Sequence, residues 1–175
     1  QNGIMNYKGH NVDLWQHNIV AAVPFLVSSR NYGILWDNNS RTKFGDVRDY
    51  QPLSSLTLYD KVGNEGGLSA DYFCTTNFQD LLTSRTESMI AHESLSDQGG
   101  YPEGLDLNGG SVRWSGEIQS GRSGVHSFIF YSSHYAKVWL NGKLVVDSWR
   151  QNWCPWSHIL SLSMKAGERY PIKIE

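Results

Sequence analysis

Several features that mark other classes of protein are scarce in this sequence. Only 2 of its 175 residues are cysteine, and neither lies in the Cys-x-x-Cys or Cys/His spacing of a zinc site. Lys and Arg total 15 against 17 Asp and Glu, with no block of either sign. This argues against a nucleic-acid platform or an anionic membrane surface as partner, because both need clustered cations. The longest apolar run, residues 19–27, contains a proline and is shorter than the ~20 residues of a membrane-spanning helix.

The two ends of the sequence also lack expected signals. The first residues, QNGIMNYKGH, have neither the basic segment nor the apolar stretch of a signal peptide. The last residues, YPIKIE, end on a strand pattern without a closing turn, so we expect a fragment of a longer protein. Cys74 and Cys154 could form one disulfide or remain two thiols, and their aromatic neighbours predict burial or pairing.

Aromatic residues are abundant: 7 Trp, 9 Tyr and 6 Phe make up 13% of the chain, whereas charged residues make up 18%. Short aromatic and β-branched runs separated by Gly, Asn and Ser predict an all-β fold. Exposed aromatic rings with sparse charge also suit carbohydrate binding, because the apolar faces of sugars stack on flat rings. The alternative is that most of these rings fill the core.

The sequence divides near residue 65, where VGNEGGLS has the composition of a linker. Before it, residues 18–29 predict a buried strand, and the Arg30-Asn31 turn leads into a second strand at 32–38. Two alternating strands follow. After the linker come a strand at 70–78 and a short helix at 78–88, with Leu81, Leu82 and Arg85 on one face.

From residue 111 the pattern is that of an antiparallel β-sandwich or barrel. Val112, Trp114, Gly116 and Ile118 alternate along one strand, and Asn141-Gly142 predicts a tight hairpin. Two further strands are joined by the turn at 165–168. The fold class is therefore all-β, an antiparallel sandwich preceded by strands from a second, incomplete sandwich.

Residues 66–175 resemble the protective-antigen (PA-14) family of β-sandwich modules, which occur in toxins, adhesins and glycosidases. The matching stretches are GGLSADYF, SVRWSGEIQSGRSGVHSFIFYSS, KVWLNGKLVVDSW and SLSMKAGERYPIKIE.

Residues 7–60 are similar to the end of the N-terminal sandwich of glycoside hydrolase family 31, through PFLVSSRNYGILWDN and its surroundings. That family contains α-xylosidases and α-glucosidases, and some members carry a protective-antigen domain at this point. The resemblance implies two regions: residues 1–64 as part of the family 31 sandwich and residues 65–175 as the inserted domain. It also implies a secreted parent, in the periplasm or outside the cell, that acts on xylose- or glucose-containing oligosaccharides.

The chain offers no catalytic constellation. A retaining glycosidase needs two carboxyl groups about 5 Å apart, and in the resembled family both lie on a (β/α)₈ barrel. The nearest string to the family's nucleophile signature is Trp36-Asp37-Asn38-Asn39, which has Asp in the wrong place and predicts a turn. We therefore expect this chain alone to be inactive, and its parent to be a retaining α-glycosidase.

No cofactor or metal site is predicted. The six His have no ligand spacing, and no serine lies in a Gly-x-Ser-x-Gly elbow. Some adhesin members of the resembled family bind calcium through two consecutive Asp, but here that place reads Ser132-Ser133-His134-Tyr135. Because calcium favours carboxylate ligands, we expect folding to be independent of calcium.

The segment DSWRQNWCPW at 147–156 is the best candidate for sugar contact. Its rings can stack on pyranose faces while its guanidinium and amides bond hydroxyl groups. The candidate residues are Trp149, Arg150, Gln151, Trp153 and Trp156. Alternatively, these tryptophans plug one end of the sandwich, and Arg150 pairs with Asp147 or with the parent's barrel. Tyr101 and Trp36 are weaker candidates.

Three functions remain open at this stage. The first is an accessory segment that borders the parent's active site and lengthens its cleft, with weak oligosaccharide binding and the catalytic barrel as partner in cis. The second is a stand-alone carbohydrate-binding or adhesin domain, and the third is a structural spacer. Residues 1–60 favour the first over the second, since a lectin would not need them.

Overall fold

The computed structural model describes residues 12–14, 23, 25–37, 42–44, 48–92, 100–133, 135–150 and 156–175, of which 12–14, 42–44 and 156 are described by their backbone. The chain forms two compact units, Gln1–Asp49 and Tyr50–Glu175. All strand pairs described in both units are antiparallel.

Among the residues described, the first unit contains two small sheets. β1 (Val12–Leu14) pairs with β4 (Thr42–Phe44), and β2 (Phe25–Ser28) pairs with β3 (Tyr32–Leu35). The turn predicted at Arg30-Asn31 joins β2 to β3.

The burial predicted for β2 is wrong for the residues described. Phe25, Leu26 and Val27 are all exposed, because β2 has only β3 beside it among the described residues and no layer covers either face. An isolated two-stranded ribbon cannot bury both of its faces.

The second unit contains nine strands among the residues described. They are β5 (Thr57–Tyr59), β6 (Leu68–Phe73), β7 (Leu81–Glu87), β8 (Ser111–Gln119), β9 (Gly124–Ser132), β10 (Ala136–Leu140), β11 (Lys143–Ser148), β12 (Trp156–Met164) and β13 (Arg169–Ile174). A single turn of 3₁₀ helix, Leu53–Ser55, precedes β5.

Seven of these strands form one sheet, in the order β11-β10-β13-β8-β6-β7, with β5 alongside the second half of β8. β9 and β12 form a separate two-stranded sheet over their full length. The partly buried Phe128, Phe130, Leu160 and Leu162 of β9 and β12 pack against the core of the larger sheet. The β-sandwich predicted from the sequence is confirmed.

The core lies between the two sheets. Alternate side chains of the large sheet point into it, and the most completely buried are Leu68, Tyr72, Ile118 and Val138. The alternation predicted along β8 is confirmed, since Trp114 and Ile118 are buried. The Asn141-Gly142 hairpin is confirmed as well, because both residues have the positive φ (50° and 75°) of the expected tight turn.

The helix predicted at residues 78–88 is wrong, because the segment forms strand β7. Thr83, Arg85 and Glu87 are half-buried while Ser84 and Thr86 are exposed, an alternation with period two. The spacing of Leu81, Leu82 and Arg85 fits one helical face, but pairing along the whole of β6 outweighs that local pattern.

Cys74 has a free, exposed thiol, so the burial suggested by its aromatic neighbours does not hold for it. The prediction that the two cysteines are not both surface thiols stays a prediction. Cys74 is the first residue after β6, where the chain leaves the sheet, so its aromatic neighbours do not enclose it. Cys154 lies outside the described residues. No helix in the described part of the chain is long and apolar enough to cross a membrane.

Candidate functional site: an aromatic surface at one end of the sheet

Three aromatic rings meet at one end of the large sheet. Phe78 comes from the loop after β6, Tyr135 from the residue before β10, and Trp149 from the residue after β11. The Trp149 ring centroid lies 5.9 Å from that of Phe78 and 5.9 Å from that of Tyr135. We call these three residues the aromatic platform. Tyr135 (52%) and Trp149 (38%) keep large exposed fractions, so their rings are available to a ligand.

The antiparallel topology explains why the platform residues meet. β6 and β11 end, and β10 begins, at the same end of the sheet. Ala136 pairs with Ser148 and Phe73 with Ser111, and the end of β13 lies between β10 and the start of β8. The backbone N–H of Tyr135 also donates to the carbonyl of Arg150 (3.1 Å), which ties two of the three loops together.

The loop that carries Phe78 has an unusual backbone. Phe78 (φ 60°) and Asp80 (φ 56°) both adopt left-handed conformations that cost non-glycine residues of order 1–3 kcal/mol each. Thr75 holds the loop closed: its hydroxyl donates to the Gln79 carbonyl (2.7 Å) and accepts from the Gln79 N–H (3.1 Å). The N–H of Cys74 donates to the Asp80 carbonyl (3.0 Å). A strained loop that is held in this way presents Phe78 in a fixed position.

Two cations lie beside the platform rings. The guanidinium carbon of Arg113 is 4.6 Å from the Phe78 ring centroid, and the Lys137 ammonium is 5.6 Å from the Trp149 ring. Such cation–π contacts contribute about 0.5–1 kcal/mol at exposed sites. Rings, hydrogen-bond donors and an open face are the components with which proteins bind neutral sugars weakly.

The structure places the predicted sugar-contact residues as follows. Trp149 is in the platform, and Arg150 is an exposed neighbour of it. Gln151 and Trp153 lie outside the described residues, and Trp156 begins β12, opposite Ser132. Sugar contact by the side chains of Gln151, Trp153 and Trp156 therefore stays a prediction.

The sequence analysis missed Phe78 and Tyr135. The signal for Tyr135 was its position directly before β10, whose partner strand β11 ends at Ser148, directly before Trp149. No comparable signal marked Phe78, because the segment was interpreted as a helix.

A second cluster, at the β7 edge of the core, is polar. Glu87 accepts hydrogen bonds from the Tyr72 hydroxyl (2.6 Å), the Trp114 indole N–H (2.6 Å) and the Arg85 Nε. Burial alone would raise the pKa of Glu87, but these three donors outweigh it and hold the pKa below its ordinary value. A carboxylate held ionised with both oxygens occupied is not poised as a general acid.

The same cluster explains Tyr101, one of the weaker sugar candidates. Its ring stacks on His92 (centroids 4.2 Å apart) and meets the Tyr72 ring edge-on, so one face is covered. Burial raises the pKa of Tyr101 and lowers the pKa of His92. The other weak candidate, Trp36, is 55% exposed in the first unit.

A shallow cavity of 190 Å³ lies next to Tyr101, lined by residues 101–105 and Leu107. It is smaller than the ~300 Å³ at which ligand pockets usually begin. Within the part of the chain that the structure describes, no group of three or more His, Cys, Asp or Glu could hold a metal ion.

The fold and the platform together define an antiparallel β-sandwich module with an aromatic surface at one end. The profile of the PA14 domain matches residues 64–175. The chain belongs to the PA14 domain family.

Comparison with known proteins extends the similarity beyond that domain. Over 99% of its length the chain matches the crystal structure of the GH31 α-xylosidase from Xanthomonas citri, at 49% identity and a TM-score of 0.81. It covers 19% of that enzyme's chain. The resemblance to a family 31 sandwich carrying a protective-antigen domain is thereby confirmed.

Two further relatives are more distant. An α-xylosidase from Saccharolobus solfataricus is 38% identical over 72 residues, which are 39% of this chain and 8% of that protein. An anti-sigma-I factor from Acetivibrio thermocellus is 27% identical over 149 residues, which are 81% of this chain and 21% of that protein. The chain thus spans less than a quarter of each relative.

Proposed function

We propose that the chain is a non-catalytic accessory segment of a family 31 α-glycosidase that acts on xylose- or glucose-containing oligosaccharides. The observation that carries the proposal is the match to one family 31 α-xylosidase over 99% of this chain, across both compact units. The first unit argues in the same direction. Its β2 and β3 expose large apolar residues, as expected of strands that belong to a larger sandwich.

The aromatic platform is our candidate for the surface that meets the substrate. Trp149 and Tyr135 offer flat, partly exposed rings, and neighbouring Arg150 can donate to sugar hydroxyls. In the proposal this surface borders the cleft of the catalytic barrel in cis. It contacts the sugars far from the bond that is cleaved and so lengthens the cleft.

Binding by such a surface is weak on physical grounds. Stacking and one or two hydrogen bonds, offset by the cost of ordering both partners, leave ~1–2 kcal/mol for the platform's contribution. The chain on its own is therefore expected to bind an oligosaccharide with a Kd in the millimolar range.

A binding module outside glycosidases is the second candidate, favoured by the similarity to an anti-sigma-I factor. A module of this kind would also bind sugar, but it would not border the substrate cleft of an enzyme. A purely structural spacer is the third, and it predicts that the platform binds no sugar.

The test is a ¹H–¹⁵N NMR titration of the chain with a xylose-decorated glucan oligosaccharide, followed at the tryptophan indole resonances. Trp149→Ala should weaken binding roughly ten-fold, because it removes the larger stacking surface. Tyr131→Ala is the matched control, since Tyr131 is an exposed tyrosine on β9, in the other sheet. This variant should bind like the unchanged chain. Two results would contradict a sugar-binding platform. One is the absence of a saturable change in chemical shift at tens of millimolar oligosaccharide, and the other is equal affinity in both variants.

A further inference from the structure

We propose that Arg113 is a positioning residue that holds the aromatic platform in place from beneath. The consequence for sugar binding rests on the proposed function, but the positioning itself does not. Arg113 lies on β8, a strand in the interior of the sheet. The platform residues lie on loops at the end of the sheet. Its guanidinium therefore links the rigid sheet to the loop that carries Phe78.

The contacts of Arg113 are directed at one side of the platform. Its guanidinium carbon lies 4.6 Å from the Phe78 ring centroid and 5.7 Å from that of Phe73. Phe78 and Phe73 meet edge-to-face, with centroids 5.8 Å apart, and Phe78 in turn packs against Trp149. Arg113, Phe78 and Trp149 thus form a continuous stack from the sheet to the exposed ring.

Glu175 fixes the guanidinium. The Arg113 Nε donates to Glu175 Oε1 (2.8 Å), and that carboxylate is only 10% exposed. Lys173 approaches the same oxygen at 3.3 Å. A shielded, charge-assisted bond of this kind restricts the rotamers of a long side chain far more than an exposed ion pair does.

Neighbouring strands reinforce this arrangement with a row of alternating charge. The row runs across neighbouring strands of the sheet, from β11 to β6, and each residue lies opposite the next. Its members, in order, are Asp147, Lys137, Glu175, Arg113 and Asp71. Each cation in the row has an acidic residue on either side, so Arg113 has opposite charge on both sides. Lys173 shares the Glu175 oxygen at 3.3 Å, farther away than the Arg113 Nε at 2.8 Å.

Phe78 depends on this support because its own backbone opposes the conformation it adopts. A left-handed φ of 60° is costly for phenylalanine. Without the guanidinium, the ring loses its underside contact, and the loop at 74–80 is free to relax. Trp149 would then lose one of the two rings that contact it among the described residues.

Hydrogen exchange of two loop amides tests the proposal on the full chain. The N–H groups of Cys74 and Gln79 are bonded within the loop and report its opening. In Arg113→Met both should exchange at least about five-fold faster, while amides of β13 keep their rates. Arg113→Lys should restore most of the protection, because an ammonium can still reach both Glu175 and Phe78.

The matched control is Arg169→Met. Arg169 lies at the other end of β13, 3.5 Å from the Tyr59 ring and 3.6 Å from Glu117, so it has the same kinds of contact away from the platform. Its replacement should leave the loop amides unchanged. Glu175→Gln is a second variant, which should accelerate the same two amides less than Arg113→Met does.

Unchanged exchange of Cys74 and Gln79 in Arg113→Met would overturn the inference. So would equal acceleration throughout β13, which indicates general destabilisation. The oligosaccharide titration separates this inference from the proposed function. Faster loop exchange in a chain that binds no sugar contradicts only the proposed function, whereas unchanged exchange in a chain that does bind contradicts only the role of Arg113.

Discussion

At the scale of single residues, Glu87 is a half-buried charge whose carboxylate is shielded from water at the β7 edge of the core. Its two carboxylate oxygens accept from Tyr72, Trp114 and Arg85, which come from three different strands. A buried donor that loses its acceptor lowers the free energy of unfolding by about 1–3 kcal/mol. Glu87 therefore stabilises the chain by giving each of these donors an acceptor.

Glu87→Gln should therefore destabilise the chain by about 2 kcal/mol at neutral pH, or roughly 4–8 °C in Tm. An amide has one acceptor oxygen instead of two, and its NH₂ group cannot accept from a donor. Thermal unfolding followed by circular dichroism measures the change. Glu117→Gln is the control, because Glu117 is in an exposed pair with Arg169 and should shift stability by less than about 0.5 kcal/mol.

The pH dependence gives the same prediction a second readout. The folded pKa of Glu87 lies below its ordinary value of 4.5, so its stabilisation is fully present above pH 4.5. It is lost as the pH falls through the folded pKa. The difference in Tm between the unchanged chain and Glu87→Gln should thus shrink in acid. A difference that stays constant from pH 7 to pH 3 would contradict an ionised Glu87.

Residue-level prediction from the sequence succeeded only in part at the aromatic platform. Trp149 could be predicted because it follows a hairpin strand inside a run rich in tryptophan. Phe78 could not, since its role comes from a left-handed backbone and from contacts with Arg113, 35 positions further along the chain. Such contacts follow from strand register, which no local pattern specifies.

At the scale of elements, local periodicity predicted most strands of the second unit but failed at β7. The hairpin at 136–148 and the alternation in β8 carry strong signals, because a tight turn and a half-buried face each demand particular residues. In β7 the apolar residues are few, and the pairing with β6 determines the structure instead.

Gly116 explains how two strands pair with the same side of β8. The partner of β8 changes at Gly116, from β6 at residues 111–115 to β5 at 117–119. A Cβ at Gly116 would overlap the carbonyl oxygen of Tyr59 in β5, which belongs to the backbone and cannot swing aside. Glycine is thus required here by the close approach of β5 and not by a turn.

Gly116→Ala should accordingly destabilise the chain by at least about 2 kcal/mol, through displacement of β5. Chemical unfolding monitored by tryptophan fluorescence gives the value. Gly121→Ala is the matched control, because no atom lies within 4 Å of its added Cβ. Equal stability of the two variants would show that β5 does not pack against Gly116.

At the scale of the whole molecule, the sheet is built as a support for its loops. β6 is buried on both faces, and the row of alternating charge crosses the large sheet at the end that carries the aromatic platform. The loops at that end can then hold strained conformations without loss of position. This is the division between rigid scaffold and variable loop that binding modules commonly show.

The measurement that tests the central claim most directly is a comparison of two substrates in the α-glycosidase of which we propose that the chain is a part. Trp149→Ala should raise the KM for long xylose-decorated glucan oligosaccharides about ten-fold, because in our proposal the platform contacts distant sugars. It should leave kcat/KM for an aryl α-glycoside unchanged, since that substrate reaches only the barrel pocket. Equal losses on both substrates would contradict a role in the cleft and indicate a structural one. No loss on either substrate would place the platform away from the cleft.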